Sequence, residues 1–456
     1  MNVLLVTYVF PPVGGTGVMR ASSLARYFPA EGIRLDVLTA RNASAVGRDP
    51  TLLKDIPAEV TVHRTVTLDL PFAIKKGIKR LITGAKPRAG ETAAPAVAGK
   101  PNPLKSVLEN ILLPDPQVTW FPVLTRAARR IVRESDIDLV LITAPPFSNV
   151  LLVEKLRKEF PRLPIVVDFR DEWLSTAFEL VSFLFSRSER AHNFARDAET
   201  NAVTNATAVV AVTEAARREI RKRYPKEPDS KFLLIPNGFD ATRLCRSAPS
   251  SEHRLDGRIV VTHIGTVYAS TEPTTLVEAL QSLPPEIKSR FKLRFIRHIE
   301  ETRFRDALLG LGDIVELKGY LPQHEALATI NETDYVLLIN HDPLNVGGKF
   351  YDYVGGGKPI LGAVDPEGET RRLFDELRAG WWADIHDVAD IRRLFFDAEA
   401  RGNSLLTAFK PDAEKIARYE RKVLAQRYAA LLHSIAGKQR EQGSQIQAAE
   451  LTREAG

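Results

Sequence analysis

The stretch NVLLVTYVFPPVGGTG, residues 2–17, decides the fold. Its apolar run reads as a buried strand, and Pro11 and Pro12 end it because proline cannot continue a ladder. Gly14, Gly15 and Gly17 make the turn, and the periodic stretch from about Val18 to Glu31 predicts a helix. A buried strand feeding a helix through a glycine turn is the opening of a parallel α/β domain. Backbone N–H groups at such a turn can approach an anion. The turn is not a dinucleotide fingerprint, because the third glycine of that pattern would fall at Arg20.

The same alternation runs on along the chain. Further strands are predicted at GIRLDVLTA (32–40), VTVHRTV (60–66), DLVLITA (138–144), PIVVDF (164–169), TAVVAVT (207–213) and FLLIPN (232–237). Helical patterns lie between them at 123–135 and 149–160. The polar stretch 240–258 lacks periodicity and reads as an interdomain linker. A second alternating series follows, with strands at IVVTHIGT (259–266), KLRFI (292–296), IVELKG (314–319), DYVLLIN (334–340) and KPILGAV (358–364). The predicted division is a first domain over 1–240, a linker over 241–257, a second domain over 258–412, a C-terminal helix over 413–436 and a disordered tail over 437–456.

Length and composition agree with two soluble α/β domains. At 456 residues the chain exceeds one ordinary core, and 44% hydrophobic with 26% charged residues is a globular balance. One cysteine, Cys245, excludes a disulfide framework or a thiolate metal cluster and fits a reducing compartment. No apolar run is long enough to span a bilayer, and the N-terminus lacks the basic lead of a signal peptide, so a cytoplasmic location is expected. The net charge of +6 permits an anionic substrate or lipid surface and does not call for nucleic acid. Within PFAIKKGIKRLI (71–82), Ile74, Ile78, Leu81 and Ile82 share one helical face and the basic residues lie largely elsewhere. Such a helix either lies on an anionic membrane surface or packs on its own domain with its lysines in water. The Ala/Pro/Gly-rich stretch 84–103 after it reads as a loose linker.

Chemistry-bearing residues gather where strands end. ITAPPFSN (142–149) carries Pro146 and Phe147, and VVDFRDEW (166–173) carries Asp168, Arg170, Asp171 and Glu172. An ion pair of Arg170 with a neighbouring carboxylate is expected to fix that loop, leaving a carboxylate for a substrate hydroxyl. In the second series, Gly265 and Thr266 stand where strand meets loop, and a bare glycine lets a ligand approach the backbone. Arg297 is a candidate phosphate partner, His298 reads as a surface histidine, and Gly319, Tyr320 and Leu321 could meet a nucleobase.

The stretch GGKFYDYVGGGKP (347–359) fails as a Walker loop, since Asp352 stands at the first glycine position and Pro359 at the Ser/Thr position. Lys349 and Asp352 fall on one side of a short helix whose open N-terminus favours an anion. The lysine suits phosphate and the aspartate a sugar diol, while the plainer alternative is an Asp–Lys pair on a solvated helix ended by a glycine cap.

Taken in order, PPVGGTGVMR, WFP (120–122), TAPPFS, DFRDEW, IPNGFD, HIGTVY, KGYLPQHEAL and KFYDYVGGGKPIL resemble the family-4-type retaining glycosyltransferases over about residues 1–430. The resemblance implies the GT-B fold, two Rossmann-like domains facing across a cleft, with a C-terminal helix packing back toward the first. It implies transfer of a sugar from a nucleotide-diphosphate sugar to an acceptor hydroxyl with retention, in cell-surface polysaccharide or glycolipid assembly.

Residue by residue, it implies Gly14, Gly15 and Gly17 near donor phosphates and acceptor, and Asn237, Gly238 and Asp240 near the hinge. Asp352 falls where a glutamate usually binds the donor ribose. The donor set implied is Gly14, Gly15, Gly17, Gly265, Thr266, Arg297, Tyr320, Leu321, Lys349 and Asp352, and the acceptor set is Pro146, Phe147, Asp168, Arg170 and Asp171. Lys349, Asp352 and Asp171 are the catalytic candidates.

No metal or cofactor is expected beyond the nucleotide sugar as co-substrate, because a lysine and backbone amides can do what a cation would. The acceptor is a sugar or lipid-linked sugar, and 71–82 is the candidate membrane contact. Two departures stand out: GTVYASTEPTT (265–275) lacks the family's diphosphate-gripping Arg and Lys, and Leu344 stands where its first paired acid belongs. Lys349 and Arg297 are the expected replacements. A non-catalytic binding subunit is the rival reading, and a nucleotide-sugar epimerase or a phosphorylase are further ones.

Overall fold

In the computed structural model the described residues are 1–43, 47–67, 112–175, 189–244, 257–267, 271–296, 299, 302–319, 321 and 323–454. The basic segment 71–82, the linker 84–103, Cys245 and most of the polar linker lie outside them, as do Arg297, His298 and Tyr320.

The chain forms two compact units, one of 1–212, 217–235 and 425–456 and the other of 213–216 and 236–424. The chain passes into the second unit at Pro236, a few residues ahead of the predicted 240. The cause is apolar burial: Phe239 and Leu244 insert into the core of the second unit.

The first unit holds a seven-stranded parallel sheet in the order β3-β2-β1-β4-β5-β6-β7. Its strands are β1 (Asn2–Val6), β2 (Arg34–Ala40), β3 (Thr61–Thr65), β4 (Leu139–Ala144), β5 (Ile165–Phe169), β6 (Ala208–Ala211) and β7 (Phe232–Leu234). The second holds six parallel strands in the order β10-β9-β8-β11-β12-β13. These are β8 (Ile259–Ile264), β9 (Phe291–Ile296), β10 (Val315–Lys318), β11 (Tyr335–Asn340), β12 (Ile360–Val364) and β13 (Gly380–Asp384).

Both sheets are doubly wound. The strand order reverses beside the first strand of each, between β1 and β4 in one and between β8 and β11 in the other. The carboxyl ends at such a reversal open a crevice where ligands of parallel sheets bind.

The central strands are apolar on both faces because both faces are covered. In the second unit Val261, Leu293, Leu337 and Leu361 pack into one core, and Ile264, Ile296, Leu338 and Ile360 into the other. Successive side chains of a strand point to opposite faces, so this alternation is what parallel pairing requires.

Several expectations need correction. The first strand stops at Val6, and the helix Thr16–Tyr27 gives way to a 3-10 turn over Phe28–Glu31, where Pro29 has no N–H to continue the α-helical ladder. Strand β13, GWWAD, is absent from the sequence prediction; its Gly380 marks a close approach, since a Cβ there would lie 2.2 Å from the Ile360 carbonyl oxygen. The C-terminal helix spans Arg421–Glu454, taking in nearly all of the tail predicted as disordered. Glutamine, glutamate, alanine and arginine are good helix formers, so low hydrophobicity argued against packing there but not against helix. As expected, this helix packs on the first unit: Tyr428 meets Phe28 edge-on at 6.3 Å, and the His433 ring lies 3.0 Å from the Glu31 carbonyl.

Candidate functional site

In the second unit β8 ends at Ile264 and β11 at Asn340, side by side at the reversal. The turn after β11 is built by its own side chains. The Asn340 amide donates to the carbonyls of Asp342 and Asn345 and to Thr370 Oγ1, while Asp342 accepts from the N–H groups of Leu344 and Asn345. Leu344, at the position of the missing acid, thus contributes its backbone to a fixed turn. That turn delivers Gly347, extended and without a side chain to cap the helix Gly348–Gly355. The Phe350 N–H closes the first turn onto the Gly347 carbonyl at 3.0 Å, and this positive helix end sits at the sheet's ligand-binding end.

Lys349 reaches from this helix to the end of β8. Its Nζ lies 3.2 Å from His263 Nε2 and 3.5 Å from the Thr266 carbonyl. Gly265 makes the path possible: at φ +134° it is bare, and a Cβ there would fall 2.2 Å from Lys349 Cε. The openness expected at Gly265 for a ligand is therefore filled by the lysine stem.

The helix is tied to the same strand end by Tyr353, whose buried hydroxyl accepts from the Ile264 N–H at 2.8 Å. Asp352, half-buried, follows Lys349 by nearly one turn. Leu321 packs beside the core that holds this helix, and Gly319 is exposed.

The glycines after this helix divide their work. Gly355 lets Phe239 pack close, since a Cβ would be 2.4 Å from its ring, and Gly357 takes the left-handed turn at φ +72°. Lys358 is structural: its buried Nζ donates to the Thr333 carbonyl at 3.0 Å.

His263 is fully buried and touches Lys349 on one side and the Leu337 carbonyl, at 3.0 Å from Nδ1, on the other. Burial, reinforced by the lysine charge, pushes its pKa well below the ordinary 6.5. Burial also lowers His341, whose ring meets the Glu272 carbonyl. Both rings are held neutral in the fold while the unfolded chain takes up protons below about 6.5, so stability falls as pH drops from there toward the folded-state values. Urea unfolding at pH 7 and pH 5 should show this loss, and His263→Gln should reduce it. An equal loss in the variant would remove His263 as a cause.

In the first unit the matching reversal brings the glycine turn after β1 beside the proline loop after β4. The expected pairing of Arg170 with a neighbour is corrected. Asp168, fully buried, takes both oxygens to Arg20, with Nε and Nη2 at 2.8 Å each. Arg20 also donates to the Ile235 carbonyl at 2.9 Å and lies over the Tyr428 ring at 5.4 Å. Burial works against its charge, but Asp168 and Tyr428 outweigh burial and hold its pKa above the ordinary value.

Arg170 instead forks to two carbonyls, Gly17 in the glycine turn and Pro145 in the proline loop. Burial lowers its pKa, and the charge of Asp171 opposes this. Gly14 donates to the Gly47 carbonyl, and Gly15 caps the helix at φ +102°.

Pro146 begins the 3-10 turn Phe147–Leu151, and Phe147 stacks on the buried Trp173 at 4.2 Å. Glu172 and Glu199, both buried, share Arg223, and Glu199 also accepts from Trp173 and Tyr224. Of the predicted acceptor set, Asp171 stands half-buried at the strand end, whereas Asp168 and Arg170 hold the scaffold together.

Sequence reasoning missed Arg20 and His263. Arg20 was legible only as a failed glycine position, and His263 only as the one titratable residue in the strand IVVTHI. Among the described residues, no three His, Cys, Asp or Glu group as ion ligands and no helix is long and apolar enough to cross a membrane.

The comparisons bear out the resemblance and the fold. Residues 81–243 match the model of Glycosyltransferase Family 4. HepE of Anabaena, solved with UDP and glucose, superposes with a TM-score of 0.63 at 16% identity, covering 95% of this chain and 99% of that one. Sucrose-phosphate synthase of Thermosynechococcus elongatus gives 0.57 at 14% identity over 98% and 99% of the two chains. A trehalose-6-phosphate protein of E. coli bound with UDP-2-fluoro glucose gives 0.61 at 12% identity over 95% and 99%. Among curated proteins there is no match. The chain has the GT-B fold.

Proposed function

We propose, on the premise of a GT-B fold whose first half carries the family-4 model, that this protein is a glycosyltransferase using a nucleotide-diphosphate sugar. The observation that carries the reading is Lys349, laid across Gly265 at the open N-terminus of its helix and at the reversal point of a parallel sheet. An ammonium beside the positive end of a helix is what suits a diphosphate. The neighbour HepE, crystallised with UDP and with UDP-glucose, supports the donor class.

In this reading Lys349 and the helix N–H groups meet the diphosphate, and Asp352 accepts from the ribose hydroxyls. The acceptor hydroxyl attacks the anomeric carbon on the face the phosphate leaves, so the C1–O bond breaks and the new glycosidic bond forms with retention. The hydroxyl proton passes to the departing phosphate oxygen. Negative charge grows on that phosphate in the transition state, so Lys349 and the helix dipole lower the barrier without a metal ion. Asp171 and the loops at Gly14–Gly17 and Pro146–Phe147 are the acceptor side, for a sugar or lipid-linked sugar in cell-surface polysaccharide or glycolipid assembly, made on the cytoplasmic side of a membrane.

Thermal stabilisation by UDP, GDP, ADP and dTDP identifies the base, and calorimetry of the best of them tests the site. Lys349→Ala and Asp352→Ala should each weaken binding about tenfold, or ~1.4 kcal/mol. Unchanged affinity in both rejects the assignment. A non-catalytic subunit is the second reading, favoured by Leu344 and by the lack of Arg and Lys in 265–275. Transfer or donor hydrolysis by the purified protein eliminates it.

A further inference from the structure

The Lys349 ammonium is held by a residue that the reading above leaves without a role. We propose that His263 is a positioning residue for Lys349, a neutral acceptor built into β8 that sets the ammonium at the helix N-terminus before the donor arrives. The inference rests on the reading of Lys349 as the diphosphate partner.

The hydrogen-bond roles follow from the atoms present. A carbonyl oxygen only accepts, so the contact of 3.0 Å between His263 Nδ1 and the Leu337 oxygen places the proton on Nδ1. A neutral ring then has a bare Nε2, which accepts from Lys349 Nζ at 3.2 Å. An ammonium has three donors and no acceptor, so this is the sole arrangement that satisfies both contacts with a charged lysine. Protonation of the ring would put two cations in contact, and the buried position with Phe295 beside it, ring centroids 5.6 Å apart, disfavours that charge further.

The consequence is for binding rather than for fold. A lysine side chain is long and freely rotating, and ordering it is part of the cost of binding an anion. Here three features order it in advance: the bare Gly265 that its stem crosses, the Thr266 carbonyl, and the imidazole that takes one of its protons. A neutral acceptor does this without cancelling the charge that the diphosphate needs, whereas a carboxylate in the same place would compete with the ligand.

Two substitutions separate the two sides of the ring. His263→Asn keeps a donor near the Nδ1 position and loses the acceptor toward Lys349, while His263→Gln can return an acceptor near the Nε2 position. With the best-binding nucleoside diphosphate of the panel as probe, His263→Asn should weaken binding about tenfold and His263→Gln should recover most of it. In a Lys349→Ala background, His263→Asn should have no further effect, because the interaction it removes is already gone.

If Lys349→Ala leaves nucleotide affinity unchanged, the reading of Lys349 fails and this inference falls with it. If Lys349→Ala weakens binding but His263→Asn does not, or weakens it equally in both backgrounds, His263 is structural and only the inference falls. Should the asparagine variant not fold, the unsubstituted protein still decides the matter through the ¹⁵N shifts of its imidazole. A bare Nε2 is expected, and a protonated Nε2 overturns the proposal.

Discussion

Gly265→Ala is expected to abolish the contribution of Lys349 to nucleotide binding while leaving a folded protein. Two effects coincide at this residue and have different sizes. At φ +134° an L side chain is strained, at a cost of about 1–3 kcal/mol to stability. The new Cβ would also lie 2.2 Å from Lys349 Cε and 2.7 Å from its Nζ, which is impossible without movement. The lysine end is flexible, so it swings away instead of unfolding the strand, and the contacts with His263 and Thr266 go with it. Nucleoside diphosphate affinity should therefore drop about tenfold, as in Lys349→Ala. The double variant Gly265→Ala/Lys349→Ala should bind no more weakly than either single one. Calorimetry checks the affinity and urea unfolding the stability. Normal affinity in Gly265→Ala would show that the stem's path across the glycine is irrelevant to the ligand.

The second large effect lies in the first unit. Arg20→Ala is expected to destabilise the protein by about 3–5 kcal/mol, because it strips the buried Asp168 of its two-pronged partner. The loss comes from the stripped carboxylate rather than from the worth of the pair, and a second variant separates the two. Arg20→Met/Asp168→Leu replaces both charges with apolar groups and should recover much of the stability. Urea unfolding of the three proteins measures this. A double variant as unstable as Arg20→Ala would mean that the contacts of Arg20 with the Ile235 carbonyl and Tyr428, not the ion pair, dominate.

The strands of both sheets were legible in the sequence because buried parallel strands are apolar runs, and each run needed no knowledge of its neighbours. β13 was not, since GWWAD is short, opens on a glycine and shows its pairing only once Ile360 is placed against Gly380. Among the candidate residues, the helix carrying Lys349 and Asp352 was legible from spacing. What Lys349 touches was not, because His263 lies 86 residues away and meets it only through the sheet order. The error at Asp168 has the same origin. Its nearest charged neighbour in sequence is Arg170, but that guanidinium is taken up by the carbonyls of Gly17 and Pro145, and Arg20, 148 residues distant, has the reach and the geometry.

Arg170 ties the carbonyls of Gly17 and Pro145 to one guanidinium, so the glycine turn and the proline loop cannot drift independently over evolutionary time. A substitution that shifts one loop is felt in the other through the shared fork, and the two stretches form a single epistatic block. Grafting the proline loop of a relative into this protein would therefore require its glycine turn to be moved with it.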